Sequence, residues 1–204
     1  NQFRTTGLVP KSATAQFDAA IASAERLRGS ALAEALILAF VYIVIIQIMW
    51  RQNNSFDAAT WFATPTADGK DLTLAGYWYG YVSLPLFQFL LMRWYFRLFL
   101  WARFLLQVSR INLNIIPTHP DGTGGLEFIS LSISAFIPLI LAHGVMLSGL
   151  VANRIFYAGA TLPEFKVAIA VLVVLIISLM IGPLMVFAPQ LARAKRTAAL
   201  EYGA

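Results

Sequence analysis

Few side chains in this sequence can do chemistry, and those that can gather in three places. The first is the run Pro117-Thr118-His119-Pro120-Asp121-Gly122-Thr123-Gly124-Gly125-Leu126. The prolines hold His119 extended, Asp121-Gly122 favours a turn, and Gly124-Gly125 lets the backbone approach a neighbour closely. A glycine-rich entry into a helix presents unpaired amides and a favourable dipole. His119, Asp121, Gly124 and Gly125 are therefore candidates for a ligand or gating loop that takes an anion, a lipid phosphate or a carboxylate. The plainer expectation is that Asp121 or Thr123 caps the following helix and that His119 bonds a nearby backbone carbonyl.

The second place is His143, in the middle of a long apolar run, where an ionisable group marks a proton or ion path by default. A serine or carbonyl on the next helix would satisfy a neutral imidazole there instead, and Ser148 or Ser178 could supply one. The third is the series Arg93, Arg97, Arg103 and Arg110, either a basic cytoplasmic mouth or contacts to anionic lipid headgroups. Arg93, Arg97 and Trp101 follow one another at four-residue steps, which brings guanidinium over indole within reach. A metal centre is not expected. His119 and Asp121 offer two donors, but His143 lies about 24 residues on, ~36 Å if helical, and the chain has no cysteine. No nucleophile, base and orienting group occur together, so neither an enzyme nor a cofactor is expected.

The elements that carry these residues follow from hydrophobic patterning. Apolar residues make up 59% of the 204 residues and charged ones only 12%, and the charges sit between long apolar runs instead of alternating with them. Lipid is then the solvent for much of the chain. Runs of about the ~20 residues that cross a bilayer predict four spans, near 31–50, 77–95, 126–152 and 165–190. The fold class is all-α, a polytopic membrane helical bundle. An N-terminal amphipathic helix within 1–30 precedes it, its stripe made of Ala13, Phe17, Ile21, Ala24 and Leu27. Residues 31–204 form the transmembrane domain. The second span is expected to bend near Pro85, to continue as a cytoplasmic helical extension and to end in the loop, together covering 96–125. Arg51 to Ala75 is expected as an external loop of turn formers, with Trp61 and Phe62 dipping into the interface.

Net charge is +5, and the basic residues flank the apolar runs, where positive-inside bias and acidic lipid account for them; a nucleic-acid partner is not expected. Arg4, Lys11, Arg26 and Arg28, then Arg93 to Arg110, then Arg193, Lys195 and Arg196 place both ends of the chain on the cytoplasmic side of a bacterial inner membrane. The chain opens at Asn1 and closes in a helical segment, which reads as part of a longer polypeptide.

The loop, together with Ala75-Gly76-Tyr77-Trp78 and Ser83-Leu84-Pro85-Leu86-Phe87-Gln88-Phe89, resembles a group of uncharacterised bacterial multi-pass membrane proteins with a Pro-Thr-His-Pro-Asp and Gly-Gly-Leu loop. The resemblance covers about half of the chain and implies a multi-pass inner-membrane protein without implying an activity. Gly122-Thr123 and Glu127 depart from its more basic or small residues. Three functions fit: an oligomeric channel-like or transport-like protein, a non-transporting accessory or scaffold subunit of a larger membrane complex, and a membrane-bound lipid or ligand sensor. The expected partners are the bilayer, its anionic headgroups, and either further copies of the chain or other subunits.

Overall fold

The computed structural model describes residues 2–52, 63–66, 69–116 and 119–202. The chain is all-α apart from one short hairpin, and it divides into two compact units, 27–97 and 1–26 with 98–204. Two helical runs, Glu127–Phe156 and Leu162–Glu201, are long and apolar enough to cross a membrane. A third qualifies when Lys11–Arg28 and Ala31–Val44 are taken together. The stretch 77–95 is diluted by four tyrosine side chains, Gln88 and Arg93 and does not stand out on apolarity alone.

In the unit 27–97, helix α3 (Ala31–Gln52) starts where Ser30 Oγ accepts the Ala33 amide at 3.3 Å, an N-cap. Strands β1 (Ala63–Thr66) and β2 (Gly69–Leu72) pair antiparallel, Ala63 opposite Leu72 and Thr66 opposite Gly69. The sequence reading has only loop here. Ladder bonds between two short segments are a tertiary choice that four-residue stretches do not announce. Asn53, Asn54, Ser55, Trp61 and Phe62 lie outside the described residues.

Thr73 then caps helix α4 (Leu74–Trp78), its hydroxyl accepting the Gly76 amide at 3.0 Å. A π-helical turn, Tyr79–Ser83, leads into helix α5 (Leu84–Val108). Its cause is Pro85, which has no N–H to return to the carbonyl one turn back; the ladder re-registers, and the Leu84 amide reaches Tyr79 O. The bend expected near Pro85 takes this form.

In the other unit, helices α1 (Gln2–Thr5) and α2 (Thr14–Arg28) supply Phe3 and Phe17 to a buried cluster, and Leu8 and Ala13 join them from the connection. Leu105, Val108 and Ile111 meet them from the end of α5, with Leu126, Ile129 and Phe187 completing the cluster. Phe3, Phe17, Phe104 and Phe128 pack edge-on and tilted, with Phe3 and Phe128 4.8 Å apart. Of the α2 residues expected on an apolar stripe, Phe17 is 2% exposed in this cluster and Ile21 packs against its margin.

Helix α6 (Glu127–Leu131) tightens into a 3-10 segment, Ser132–Phe136, before α7 (Ile137–Ala158), because Pro138 interrupts the amide ladder. Gly159, with φ +65°, ends α7 in the left-handed region. A 3-10 turn, Leu162–Phe165, opens α8 (Lys166–Ile181), and Gly182 with Pro183 imposes another, Gly182–Phe187, before α9 (Ala188–Tyr202). From α9, Gln190 Nε2 donates to Ser109 O at 2.5 Å and to Ile111 O at 2.8 Å, so two carbonyls just beyond the end of α5 are satisfied by a side chain distant along the chain.

Two substitutions test this packing. Leu105→Ala, at 2% exposure, should lower unfolding free energy in detergent by about 2–5 kcal/mol, while Leu106→Ala beside it, exposed, should leave it nearly unchanged. Gln190→Leu should cost about 1–3 kcal/mol by stranding two carbonyls, read by the same denaturation curves.

Candidate functional site

Between Val108 and Glu127 the backbone leaves regular structure, and its polar groups need other partners. Asn114 N–H donates to Leu8 O at 2.8 Å, and Ile116 N–H to Gly124 O at 3.4 Å. The amides of Thr123, Gly125 and Glu127 converge on Asp121. Its Oδ1 accepts from Thr123 N at 2.9 Å and Gly125 N at 3.1 Å, and its Oδ2 accepts from Gly125 N at 2.9 Å and Glu127 N at 3.3 Å. Gly122, Gly124 and Gly125 all have positive φ, which is what turns these amides inward.

A cradle for an anion therefore exists where the sequence suggests one, and the chain's own carboxylate fills it. Asp121 is 5% exposed at its side chain. Its bond to the Glu127 amide, at the first residue of α6, makes it the cap of the helix that follows. An outside anion would have to displace it from the Gly125 amide. Gly124 is buried, its backbone against the side chains of Ile115 and Leu191. Pro117 and Thr118 lie outside the described residues.

His119 is the exposed partner of this carboxylate, with 40% side-chain exposure. Its Nδ1 lies 2.9 Å from Asp121 Oδ1 and 3.3 Å from the Asp121 backbone nitrogen. The shorter contact requires a proton on Nδ1, because a bare nitrogen would face the carboxylate lone pairs. The ring was expected to bond a backbone carbonyl; the structure pairs it with the carboxylate two residues on, because the turn at Asp121-Gly122 folds that side chain back. A histidine held this way can accept or release a proton or donate to a ligand. Among the described residues no three His, Cys, Asp or Glu side chains gather as metal ligands.

Electrostatics fix the carboxylate's charge state. Burial acts to raise its pKa, but hydrogen bonds from Thr123, from the Gly125 amide and from His119 outweigh it and hold the group below the ordinary carboxylate range.

Comparison of the chain with protein-family models, with curated proteins and with solved structures finds no match. The remaining candidates are accordingly read from geometry alone.

His143 is 6% exposed, and its Nδ1 lies 2.7 Å from Leu139 O, one turn earlier on α7. The partner seen for Nδ1 is thus a carbonyl of its own helix, where the sequence suggested a serine or carbonyl on the next one. The arginines part company. Arg93 pairs with Glu34 at 3.2 Å and lies over the Phe89 ring at 5.8 Å, and Arg97 lies over Trp94 at 5.0 Å. Trp101, expected under a guanidinium, instead donates through Nε1 to Ser132 Oγ at 3.1 Å and packs on Phe136. Its ring is drawn to the apolar side of α5 that the next helix covers. Arg103 donates to Ser23 Oγ at 3.3 Å, and Arg110 is exposed.

Sequence reasoning missed Gln190, whose type is unremarkable at a helix start, and the pair Arg154 and Glu164. A signal for the latter was present in Thr161-Leu162-Pro163-Glu164. Its capping box holds Glu164 Oε1 2.8 Å from Thr161 N and 2.7 Å from Thr161 Oγ1.

Two outcomes follow for the loop. Gly122→Ala, in open space at φ +66°, should destabilise by about 1–2 kcal/mol. Gly124→Ala should cost a further ~1–3 kcal/mol because the new methyl collides with the Ile115 side chain; chemical denaturation in micelles compares them. Because the folded-state pKa of Asp121 is depressed, its stabilisation is complete above about pH 4. It is lost as pH falls from there toward the lower folded value. Amide protection at Thr123, Gly125 and Glu127 should stay level from neutral pH to about 4 and then drop, and Asp121→Asn should start low and lack that acid limb.

Proposed function

We propose that this chain is a polytopic subunit of a membrane-embedded assembly in a bacterial cytoplasmic membrane, with a structural or accessory role. It crosses four times, near 31–50, 77–95, 126–152 and 165–190, with both ends on the cytoplasmic side. The N-terminal unit and the His119 to Gly125 loop then lie at the cytoplasmic boundary. The arginine-rich flanks support this orientation through positive-inside bias.

One observation carries the reading. The two helical runs long and apolar enough to cross a membrane are hardly covered by their own chain: 22% of the apolar stretch in Glu127–Phe156 is buried, and 6% of that in Leu162–Glu201. Val167, Val171, Val174, Ile177 and Ile181 are exposed along α8, and Leu141, Val145 and Leu150 along α7. Packing is concentrated instead in the cluster around Phe3, Leu8, Phe17 and Leu105. A chain arranged this way brings a tightly folded boundary region and greasy helices whose sides are free for lipid and for neighbouring subunits.

The arginines favour an accessory role over a conducting mouth. Arg93 is neutralised by Glu34, Arg97 rests on Trp94, and Arg103 is bound to Ser23, so three of the four charges are already engaged. A channel-like or transport-like oligomer is the second reading, favoured by the buried His143 within an apolar helix.

Mild-detergent purification of the tagged full chain should recover it with other membrane polypeptides, or with its own copies, in fixed stoichiometry. Liposomes holding the purified protein should show no proton or ion flux above empty vesicles. A monomer without companions would defeat the proposal, and flux abolished by His143→Ala would install the transport reading in its place.

A further inference from the structure

The end of α7 and the 3-10 turn Leu162–Phe165 border an open cavity of about 470 Å³, lined by Leu150, Arg154, Gly159, Glu164 and Phe165 among others. Its chemistry is mixed in a particular way. Arg154 lies just ahead of the last turn of α7, and Glu164 belongs to the turn that starts the next helix, so two opposite charges border one space. They do not neutralise each other. Among the described residues Arg154 pairs with no carboxylate, and Glu164 Oε1 is held by the amide and hydroxyl of Thr161. Both side chains are exposed and face a common opening. Leu150 and Phe165 give the same cavity an apolar wall, and Phe156 and Leu162, close by along the chain, are exposed.

A ligand suited to this space has an anion for the guanidinium, an N–H cation a few ångströms away for the carboxylate, and a hydrocarbon part for Leu150 and Phe165. We propose that the cavity is a binding site for a zwitterionic aminophospholipid, its phosphate on Arg154, its primary ammonium on Glu164 and its acyl chains along the apolar wall. The inference requires Glu127–Phe156 and Leu162–Glu201 to lie in a bilayer, since their ends then fall at headgroup depth. The two charges discriminate between lipids. A glycerol headgroup brings no cation and sets its phosphate near Glu164 without compensation, and a choline group is bulkier and has no N–H to donate.

Native mass spectrometry of the delipidated full chain, with phosphatidylethanolamine, phosphatidylglycerol or phosphatidylcholine added at equal concentration, tests this. Phosphatidylethanolamine should be retained in preference to the other two. Arg154→Gln should weaken its retention about tenfold, the scale of one charge-assisted hydrogen bond. Glu164→Gln keeps an amide oxygen to accept from Thr161, so the helix start survives, and it should bind phosphatidylethanolamine and phosphatidylcholine alike. Equal retention of all three lipids by the unaltered chain, or unchanged retention by Arg154→Gln, would overturn the proposal. So would equal thermal protection by phosphoethanolamine or inorganic phosphate alone, which would make the ligand a soluble phosphate. If the unaltered chain still inserts into liposomes while showing no lipid preference, the membrane reading stands and only this site falls.

Discussion

Backbone groups near an apolar phase must be satisfied by protein, because lipid and buried side chains offer them nothing. Long helices meet that demand along their length and fail it at their ends. The segment between Val108 and Glu127 is the severest case, since one long helix stops there and another begins. The chain answers with side chains: Gln190 takes up the carbonyls of Ser109 and Ile111, and Asp121 gathers the amides of Thr123, Gly125 and Glu127. Glycines at 122, 124 and 125 exist in this segment because only positive φ aims the amides at one carboxylate.

That solution organises what surrounds it. With the loop drawn tight, Leu8 can bond Asn114 through its carbonyl and bury its side chain beside Gly125, and Phe3 and Phe17 follow it onto Phe104 and Phe128. The N-terminal segment thereby becomes part of the core of its unit. His119 is left at the surface with one nitrogen tied to Asp121, so the loop's reactive group is held by the same carboxylate that closes the backbone. A single carboxylate serving as helix cap, loop closure and histidine anchor explains why capping and ligand readings of this motif were both reasonable on chemistry alone.

Much of this was legible beforehand, for identifiable reasons. Helix over most of the chain follows from apolar runs too long for strands. Pro85 marked an irregular turn because a missing N–H acts locally, whatever the tertiary context. That Asp121 or Thr123 would cap the following helix was readable from their place before it, and the choice of Asp121 was not. The hairpin of Ala63–Thr66 with Gly69–Leu72 was not, since four-residue strands owe their pairing to each other. Nor was the preference of Arg97 for Trp94 over Trp101, which turns on which side of α5 another helix covers.

What the sequence by itself determined is the solvent and the local grammar: apolar runs that suit lipid, arginines at their borders, and breaks at proline and glycine. These depend on composition and on neighbours a few residues apart. Tertiary structure alone decided that Gln190 would hold the end of α5, that Leu8 would lie against Gly125, and that Arg154 and Glu164 would border one cavity across a helix break. Those pairings join residues whose separation along the chain carries no signal, and only the path of the folded backbone brings them within reach.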